Sequence, residues 1–544
     1  MPLFNTDKRK PSRLLLAQAL LVTIAAWLVY AGSISLPFFS DDVYHLRWVE
    51  THRAVELFVP SSSFASYRPL PSLFWYVWRH TLGFYSAPAF HTFNLLLHVV
   101  NAWLAMALAY RLSRGERGRT VWVAGAVGFI FASFPLAYQA VLWCGALTHV
   151  LGACLLLLTL LFYDYGRRGH RRWLVLSWGL AMLAPFANEA GLVAPGLIAL
   201  YEWCAPGLRS RRHLSLALAF LPAALVQPLI WMSGPAQSSG LSIGNVLRVS
   251  RLLPKLAYFA QGATFPVQFA MGWLRTWLNW EGWLALGVGV ALASPFIALA
   301  IWRGRGRQVA LACGWFTLTS LPPVAALATD YITSAPRLLY IPAVGISLLW
   351  AWVLVALVDR WPRGRGALYL ALLGVVLVPA TVFVRQRVGL YRLAARPMEQ
   401  ALAVSQDQEV EGAFLFVNMP AWMAYKTAAL PVGQEGVPLM PSYVDMSDFI
   451  WANTGHTVDA RAVAFANVRD PQPYWYGAWR AEQNWETLAQ KIRVSERVYL
   501  CLWQGWDVRL IEAGRVTVAP APELSLDGST ELTTGGSTEL TTGG

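Results

Sequence analysis

The chain has 544 residues, of which 56% are hydrophobic and only 13% charged, with 27 tryptophans and a net charge of +13. Too little polar material remains to cover a soluble globule, so the class is a polytopic membrane protein. The cations form short clusters between apolar runs, which membrane topology explains without a nucleic-acid partner, and the five cysteines lack any CxxC spacing, which argues against a zinc site or a disulfide framework.

Apolar runs of roughly 17 to 25 residues suit a bilayer crossing. They fall near 14–32, 89–110, 120–137, 143–163, 173–187, 188–203, 214–233, 283–302, 309–328, 338–358 and 366–384, which makes about eleven helices. The first follows KRKPSR with no small-residue cleavage site and reads as an uncleaved signal anchor whose start is cytoplasmic. Basic clusters then recur at Arg111, Arg114, Arg117 and Arg119, at Arg167, Arg168, Arg171 and Arg172, at Arg209, Arg211 and Arg212, at Arg303, Arg305 and Arg307, and at Arg360, Arg363 and Arg365. The intervening connections near 138–142, 188 and 330 are almost free of cations. By the positive-inside rule the clusters face the cytoplasm, so the protein is expected to sit in the cytoplasmic (plasma) membrane. The loops 33–88 and 234–282 and the chain after the last span then lie outside. Arg385, Arg387, Arg392 and Arg396 run against this pattern, and the apolar stretch 245–270 reads as a re-entrant or interfacial pair of helices.

Residues 1–384 are thus expected to form the transmembrane domain. Residues 385–524 read as a small extracytoplasmic α/β domain, with β-rich runs at 413–420, 461–468 and 498–505 and a helical stretch near 483–493. Residues 525–544 end in STELTTGG twice over, a tail rich in Ser, Thr and Gly and lacking a core, which is expected to be disordered.

Several polar residues stand out on the outer side. In FFSDDVYHLRW, Asp41 and Asp42 follow the first span, and paired carboxylates there can accept a proton from a hydroxyl or, if the reaction uses one, hold a divalent metal such as Mg or Mn. Asp42 is also a plausible N-cap for a helix that would set Tyr44, Trp48, Val55 and Phe58 on one interfacial face. His91, Asn94, His98 and Asn101 share a face of the second span. The stripe lines a cavity or hydrogen-bonds neighbouring helices. Asn188 and Glu189 open the sixth span, where a carboxylate lines the cavity or simply caps the helix. Arg68 and Arg337, one in the first outer loop and one opening the tenth span, are candidate donors to a phosphate, with an interfacial snorkel as the bland alternative.

The order of SDD, YRPLPSLFW, APAFHTFNLLLHVVNA, FPLAYQAVLW, NEAGLVAPGLIALYE and APRLLYIPAVG resembles the GT-C superfamily of membrane glycosyltransferases, nearest the branch of TMTC-type protein O-mannosyltransferases and their bacterial relatives. The resemblance covers most of 20–360 and implies inverting transfer of a sugar from a polyprenyl-phosphate donor to a protein, glycan or lipid acceptor at the outer membrane face. It implies that Asp41 or Asp42 acts in catalysis and that Arg337 and Arg68 bind the donor phosphate, with Glu189, His91, Asn94 and His98 around them. The chain departs from the family at Gln139, Phe134, Leu147, His149, Asn188 and Pro336, where relatives often differ and several carry charge. A catalytically inactive scaffold subunit of a membrane complex is therefore the alternative.

The topology has a direct test. A cysteine placed by Ser210→Cys within the third basic cluster should resist an impermeant maleimide added to intact cells. Labelling from outside would overturn the assignment.

Overall fold

The computed structural model describes residues 13–61, 67–113, 119–204, 216–234, 249–359, 361, 364–406, 413–433, 435–441, 443–465, 474–478, 481–482, 497–504, 507–518 and 524–527. The chain divides into two compact units, one of residues 1–392 with 424–437, the other of 393–423 with 438–544. The expected helical stretch at 483–493, most of the repeat tail and the cations Arg114, Arg117, Arg209, Arg211, Arg212, Arg360 and Arg363 lie outside the described residues.

The first unit is helical. In chain order it contains α1 (Arg13–Tyr30), α2 (Asp41–Thr51), α3 (Pro69–Leu82), α4 (Ala87–Leu112), α5 (Thr120–Ala132), α6 (Tyr138–Leu142), α7 (Leu147–Arg167), α8 (Arg171–Ala187) and α9 (Ala194–Cys204). These are followed by α10 (Pro222–Met232), α11 (Val249–Ala263), α12 (Phe265–Leu278), α13 (Gly282–Ala300), α14 (Gly306–Ala326), α15 (Thr329–Ser334), α16 (Ala343–Val358) and α17 (Arg365–Ser405), whose residues from 393 on belong to the second unit. A helix lies at each of the eleven expected spans. Among the described residues five helical stretches are long and apolar enough to cross a membrane, or six if the pair bent by 49° at Thr120–Ala132 and Pro135–Leu142 is one span. One of the five, Gly282–Ala326, turns at Gly304, whose φ of 80° only glycine adopts readily, so it holds the two runs expected at 283–302 and 309–328.

Burial separates the core from the lipid-facing shell. Helix α16 is buried on nearly every side, whereas α1 exposes Leu20 and Leu28, α10 exposes Leu229 and α17 exposes Val375 and Val378, each more than half accessible. Large apolar side chains on the outside of such helices are what a bilayer solvates, and the chain is an integral membrane protein. The stretch expected at 245–270 as a helix pair is α11 and α12. Several expected cytoplasmic cations are engaged by acids: Arg111 and Arg168 by buried Asp164, Arg167 by buried Glu202, and Arg305 and Arg119 by the half-buried Asp359.

Two boundaries differ from expectation. The last span continues without a break to Ser405, because nothing between 384 and 405 stops a helix: there is no glycine pair, and Pro397 lies far into it. The helix after the first span begins at Asp41, with Ser40 as its N-cap, and ends at Thr51. Asp42 is therefore not the cap, and Val55 and Phe58 lie on a separate short turn, Glu56–Phe58, rather than on one face with Tyr44 and Trp48.

The second unit carries a six-stranded sheet. Its strands are β1 (Phe414–Val417), β4 (Ala460–Phe465), β6 (Ala481–Glu482), β7 (Arg497–Gln504), β8 (Asp507–Val518) and β9 (Leu524–Asp527), in the order β6-β4-β1-β7-β8-β9. β1 pairs in parallel with β4 and β7, while β7, β8 and β9 form an antiparallel meander. Among the described residues a smaller sheet runs β3-β2-β5 through β2 (Pro420–Tyr425), β3 (Val437–Pro438) and β5 (Tyr474–Ala478), and a helix, α18 (Met446–Thr454), precedes β4. β9 carries the sheet to Asp527, past the end expected at 524.

Close helix approach in the bundle rests on particular glycines. A Cβ on Gly345 of α16 would sit 2.5 Å from the Ala312 carbonyl oxygen and 2.8 Å from the Phe316 nitrogen of α14, backbone atoms that cannot step aside. Gly345→Ala should destabilise the purified protein by about 1–3 kcal/mol. Gly179→Ala, where a Cβ meets nothing within 4 Å, should leave thermal unfolding in detergent unchanged or raise its midpoint.

Candidate active site

A cavity of about 1110 Å³ is lined by residues from eight segments of the first unit, and four of the sequence-predicted residues, Asp41, Arg68, Glu189 and Arg337, share its wall. The polar side is made by α2, the start of α3, the turn before α7, the start of the Glu189 segment and Arg337. The apolar side comes from Trp231 of α10 and from Pro322, Pro323 and Leu327 at the end of α14.

The two aspartates separate in role. Asp41 is half-buried and faces the cavity. Asp42 is wholly buried and points away, its Oδ2 accepting from the Phe39 amide at 3.2 Å and its Oδ1 from the Gly145 amide. Burial pushes the Asp42 pKa well up and the Asp41 charge adds to that, while the two amides and the Trp143 indole pull the other way. A side chain at Gly145 would crowd this contact: a Cβ would lie 3.0 Å from Asp42 Oδ1 and 3.2 Å from Trp143 Nε1. Ser40 enters the helix at φ 55°, ψ −135°, a conformation that costs a non-glycine residue about 1–3 kcal/mol and recurs at functional sites. The sequence offers Asp41 or Asp42 for the catalytic or metal-binding role; the helix turns the Asp42 side chain onto backbone amides, and Asp41 is the one that lines the cavity.

One turn on from Asp41, His45 also lines the cavity and sits edge-on to Trp75 at 5.1 Å. Burial lowers its pKa from the ordinary 6.5 to about 4, with Asp41 opposing and Arg68 reinforcing. Its imidazole is neutral at physiological pH. Sequence reasoning missed this residue, although its i, i+4 spacing from Asp41 was a readable signal.

The arginines also separate. Arg68 forks onto Glu189, with Nε at 2.8 Å from Oε1 and Nη2 at 2.8 Å from Oε2. Burial alone would lower the Arg68 pKa, but the charge and hydrogen bonds of Glu189, helped by Tyr331 and Asp41, leave it raised. Arg68 is therefore tied to a carboxylate, with only Nη1 left for another ligand. Arg337 is 8% exposed, gives Nη1 to Gln139 Oε1 at 2.9 Å and Nη2 to the Tyr331 hydroxyl at 2.6 Å, and lies over the Trp143 ring at 4.4 Å. All these partners are neutral, and among the described residues no carboxylate pairs with it. A second buried cation, Lys255, reaches the cavity from α11 and donates to the Val324 carbonyl at 3.1 Å.

The stripe on α4 does not line this cavity, which corrects the cavity-lining expectation for His91, Asn94 and His98. All are buried against the backs of the segments that carry the site. His91 Nδ1 meets Cys144 Sγ at 3.4 Å, Asn94 donates to the Trp143 carbonyl at 2.9 Å, and His98 contacts the Tyr340 hydroxyl at 2.9 Å and the Ala132 carbonyl at 3.2 Å. Asn101 donates to that hydroxyl and to the Val150 carbonyl. Shared helical spacing shows that four side chains face one way, but not what stands opposite. Asn188 caps its own short turn by accepting from the Ala190 amide at 3.0 Å.

Among the described residues no three His, Cys, Asp or Glu side chains converge as metal ligands.

No protein-family model and no curated protein matches the sequence. Among solved structures the chain is similar to the oligosaccharyltransferase of Archaeoglobus fulgidus tethered with an acceptor peptide containing the NVT sequon, with a TM-score of 0.45 and 11% identity over 75% of this chain and 62% of that one. The apo form of that enzyme gives a TM-score of 0.42 at 11% identity over 74% of this chain and 62% of that one. The arabinofuranosyltransferase AftD from Mycobacteria gives 0.42 at 19% identity over 77% of this chain and 30% of that one. The chain spans under two thirds of the oligosaccharyltransferase and less than a third of the arabinofuranosyltransferase.

The lowered His45 pKa has a signed consequence. Between about 4 and the ordinary 6.5 the unfolded chain binds a proton that the folded chain refuses, so stability falls as pH drops through that window. His45→Gln removes this contribution and should make the loss of thermal stability between pH 7 and pH 4.5 shallower than in the native protein. Parallel profiles for the two proteins would contradict the burial of His45.

Proposed function

We propose that the protein is a GT-C-type membrane glycosyltransferase that moves a sugar from a polyprenyl-phosphate donor to an acceptor hydroxyl with inversion at the anomeric carbon. The observation that carries this reading is Arg337: a cation buried in a cavity wall with neutral partners is costly until an anion meets it. The ordered sequence motifs that resemble the GT-C superfamily point the same way.

The chemistry then assigns a task to each side. The acceptor oxygen attacks the anomeric carbon from the face opposite the phosphate, forming the new glycosidic bond as the carbon–phosphate oxygen bond breaks. Asp41 takes the hydroxyl proton, and the polyprenyl phosphate leaves with the bonding electron pair. Arg337, with Lys255, offsets the charge that grows on the phosphate oxygens, an effect strengthened by the low dielectric of a buried wall. The phosphate is a good leaving group, so no general acid is required of His45. The Arg68–Glu189 pair fixes the wall between the first outer loop and the Asn188 turn. Trp231, Pro322, Pro323 and Leu327 give the prenyl part of the donor an apolar surface. The acceptor is a protein, a glycan or a lipid, and the reaction takes place at the outer membrane face.

Substitutions separate these roles. Asp41→Asn should lower sugar transfer by about 100-fold or more while leaving the folded protein intact. Asp42→Asn, which keeps an oxygen to accept one of the two amide bonds, should have the smaller effect on turnover. Arg337→Ala should weaken donor use. If purified protein bound no polyprenyl-phosphate sugar and Asp41→Asn left the cellular role untouched, the inactive scaffold would replace the enzyme.

A further inference from the structure

Residues 429–433, 435 and 436 follow the last long helix in sequence yet belong to the first unit, where they lie in a seat formed by α6, α11, α12, the start of α13 and α17. The seat is built to fit. Gln261 exchanges two hydrogen bonds with Val432, its Nε2 donating to the carbonyl at 2.7 Å and its Oε1 accepting from the amide at 2.8 Å. Arg275 Nη1 donates to the Pro431 carbonyl at 2.8 Å. Glu435, 8% exposed, accepts from Arg387 Nη2 and from the Ala429 and Leu430 amides at 3.1 and 2.6 Å, and Arg387 is 1% exposed. Glycines permit the approach: a Cβ on Gly272 would overlap the Ala429 carbonyl oxygen, and one on Gly282 would overlap that of Pro431.

The strap ends on the candidate site. The Gly436 carbonyl accepts from the Tyr138 hydroxyl at 3.0 Å and from Gln139 Nε2 at 3.3 Å, and the Ser334 carbonyl takes a second bond from that nitrogen at 3.3 Å. Gln139 is fully buried, so its amide cannot turn to water. With two carbonyls facing its nitrogen, its Oε1 is directed at Arg337 Nη1.

We infer that this strap is a positioning element of the site: Glu435 and Gly436 fix the Gln139 amide, and Gln139 in turn aims the Arg337 guanidinium into the cavity. The phosphate-binding role given to Arg337 above is the reading on which this rests. Arg387 and Glu435 form the anchor because a buried, hydrogen-bonded ion pair is strongly destabilised when one partner is removed, which holds the strap in one place. Gln139 is suited to the relay because it offers a donor to one side and an acceptor to the other. A glutamate there would face two carbonyls with no proton to give and would neutralise Arg337 from within.

The test uses the full chain in detergent with farnesyl phosphate as the probe, its affinity and the thermal midpoint being measured on the same samples. Gln139→Leu and Glu435→Gln should each weaken farnesyl phosphate binding by roughly tenfold, the loss expected when one charge-assisted hydrogen bond is misplaced. Neither should weaken it further in an Arg337→Gln background, since both act through that residue. If both variants lowered the thermal midpoint but bound the probe as the native protein does, the strap would be structural only and the inference overturned. Should Glu435→Gln fail to fold, Gln139→Leu alone decides. If the native protein bound no farnesyl phosphate, the proposed function would fall and the strap would be judged by phenylglyoxal modification of Arg337, read by peptide mass spectrometry. Faster modification in Gln139→Leu upholds the relay, and an unchanged rate overturns it.

Discussion

The candidate site depends on burying the charge of Arg337 without giving it a carboxylate. A guanidinium in a cavity wall needs acceptors for its donors and something polarisable beside its faces. The protein supplies a Gln amide oxygen, a Tyr hydroxyl and the faces of Trp143 and Tyr331, which satisfy geometry but leave the positive charge uncancelled. Much of the surrounding architecture follows from that. Gln139 has to be held, so a strap is seated against it. Trp143 has to be held, so Asn94 grips its carbonyl from behind.

The acidic side is organised by the same logic in reverse. One carboxylate faces the cavity because its neighbour does not: Asp42 turns inward to bind two amides, and this pins the start of α2 to the Gly145 turn. That turn also carries Trp143, over which Arg337 lies. The carboxylate pair and the buried Arg337 are therefore joined through three consecutive residues, Trp143 to Gly145. Adjacent acids in the sequence are not equivalent acids in the fold.

How much of this was legible follows from what sequence patterns encode. Helix positions were legible because a long apolar run favours a helix: one lies at each expected run, and among the described residues five or six helical stretches are long and apolar enough to cross a membrane. The convergence of Asp41, Arg68, Glu189 and Arg337 was expected from a family resemblance, whereas no spacing rule links residues so far apart. What was missed has a common cause. His91, Asn94 and His98 were placed on one face with a cavity or neighbouring helices opposite, and the helices are what they meet, since periodicity does not name the neighbour. The division between Asp41 and Asp42 depends on Ser40 adopting a strained conformation, and nothing in a serine announces that. The strap has no periodicity at all. Its glycine, proline and small residues read as loop, and its role is visible only once the Gly272 and Gln261 seat stands beside it.

The two arginines show why charge count alone is a poor guide to ligand chemistry. Arg68 and Arg337 look alike in sequence, each at a helix start beside a proline. Arg68 is forked by Glu189 and adds no net charge to the cavity, so an anion placed there would have to displace a bidentate carboxylate. Arg337 has neutral partners, and Lys255 lies on the same cavity. The uncancelled positive charge of the cavity wall therefore sits at Arg337 and not at Arg68, and Asp41, one turn from His45, lies on the same polar side. The charge pattern of the site thus comes from which arginine was left without a carboxylate.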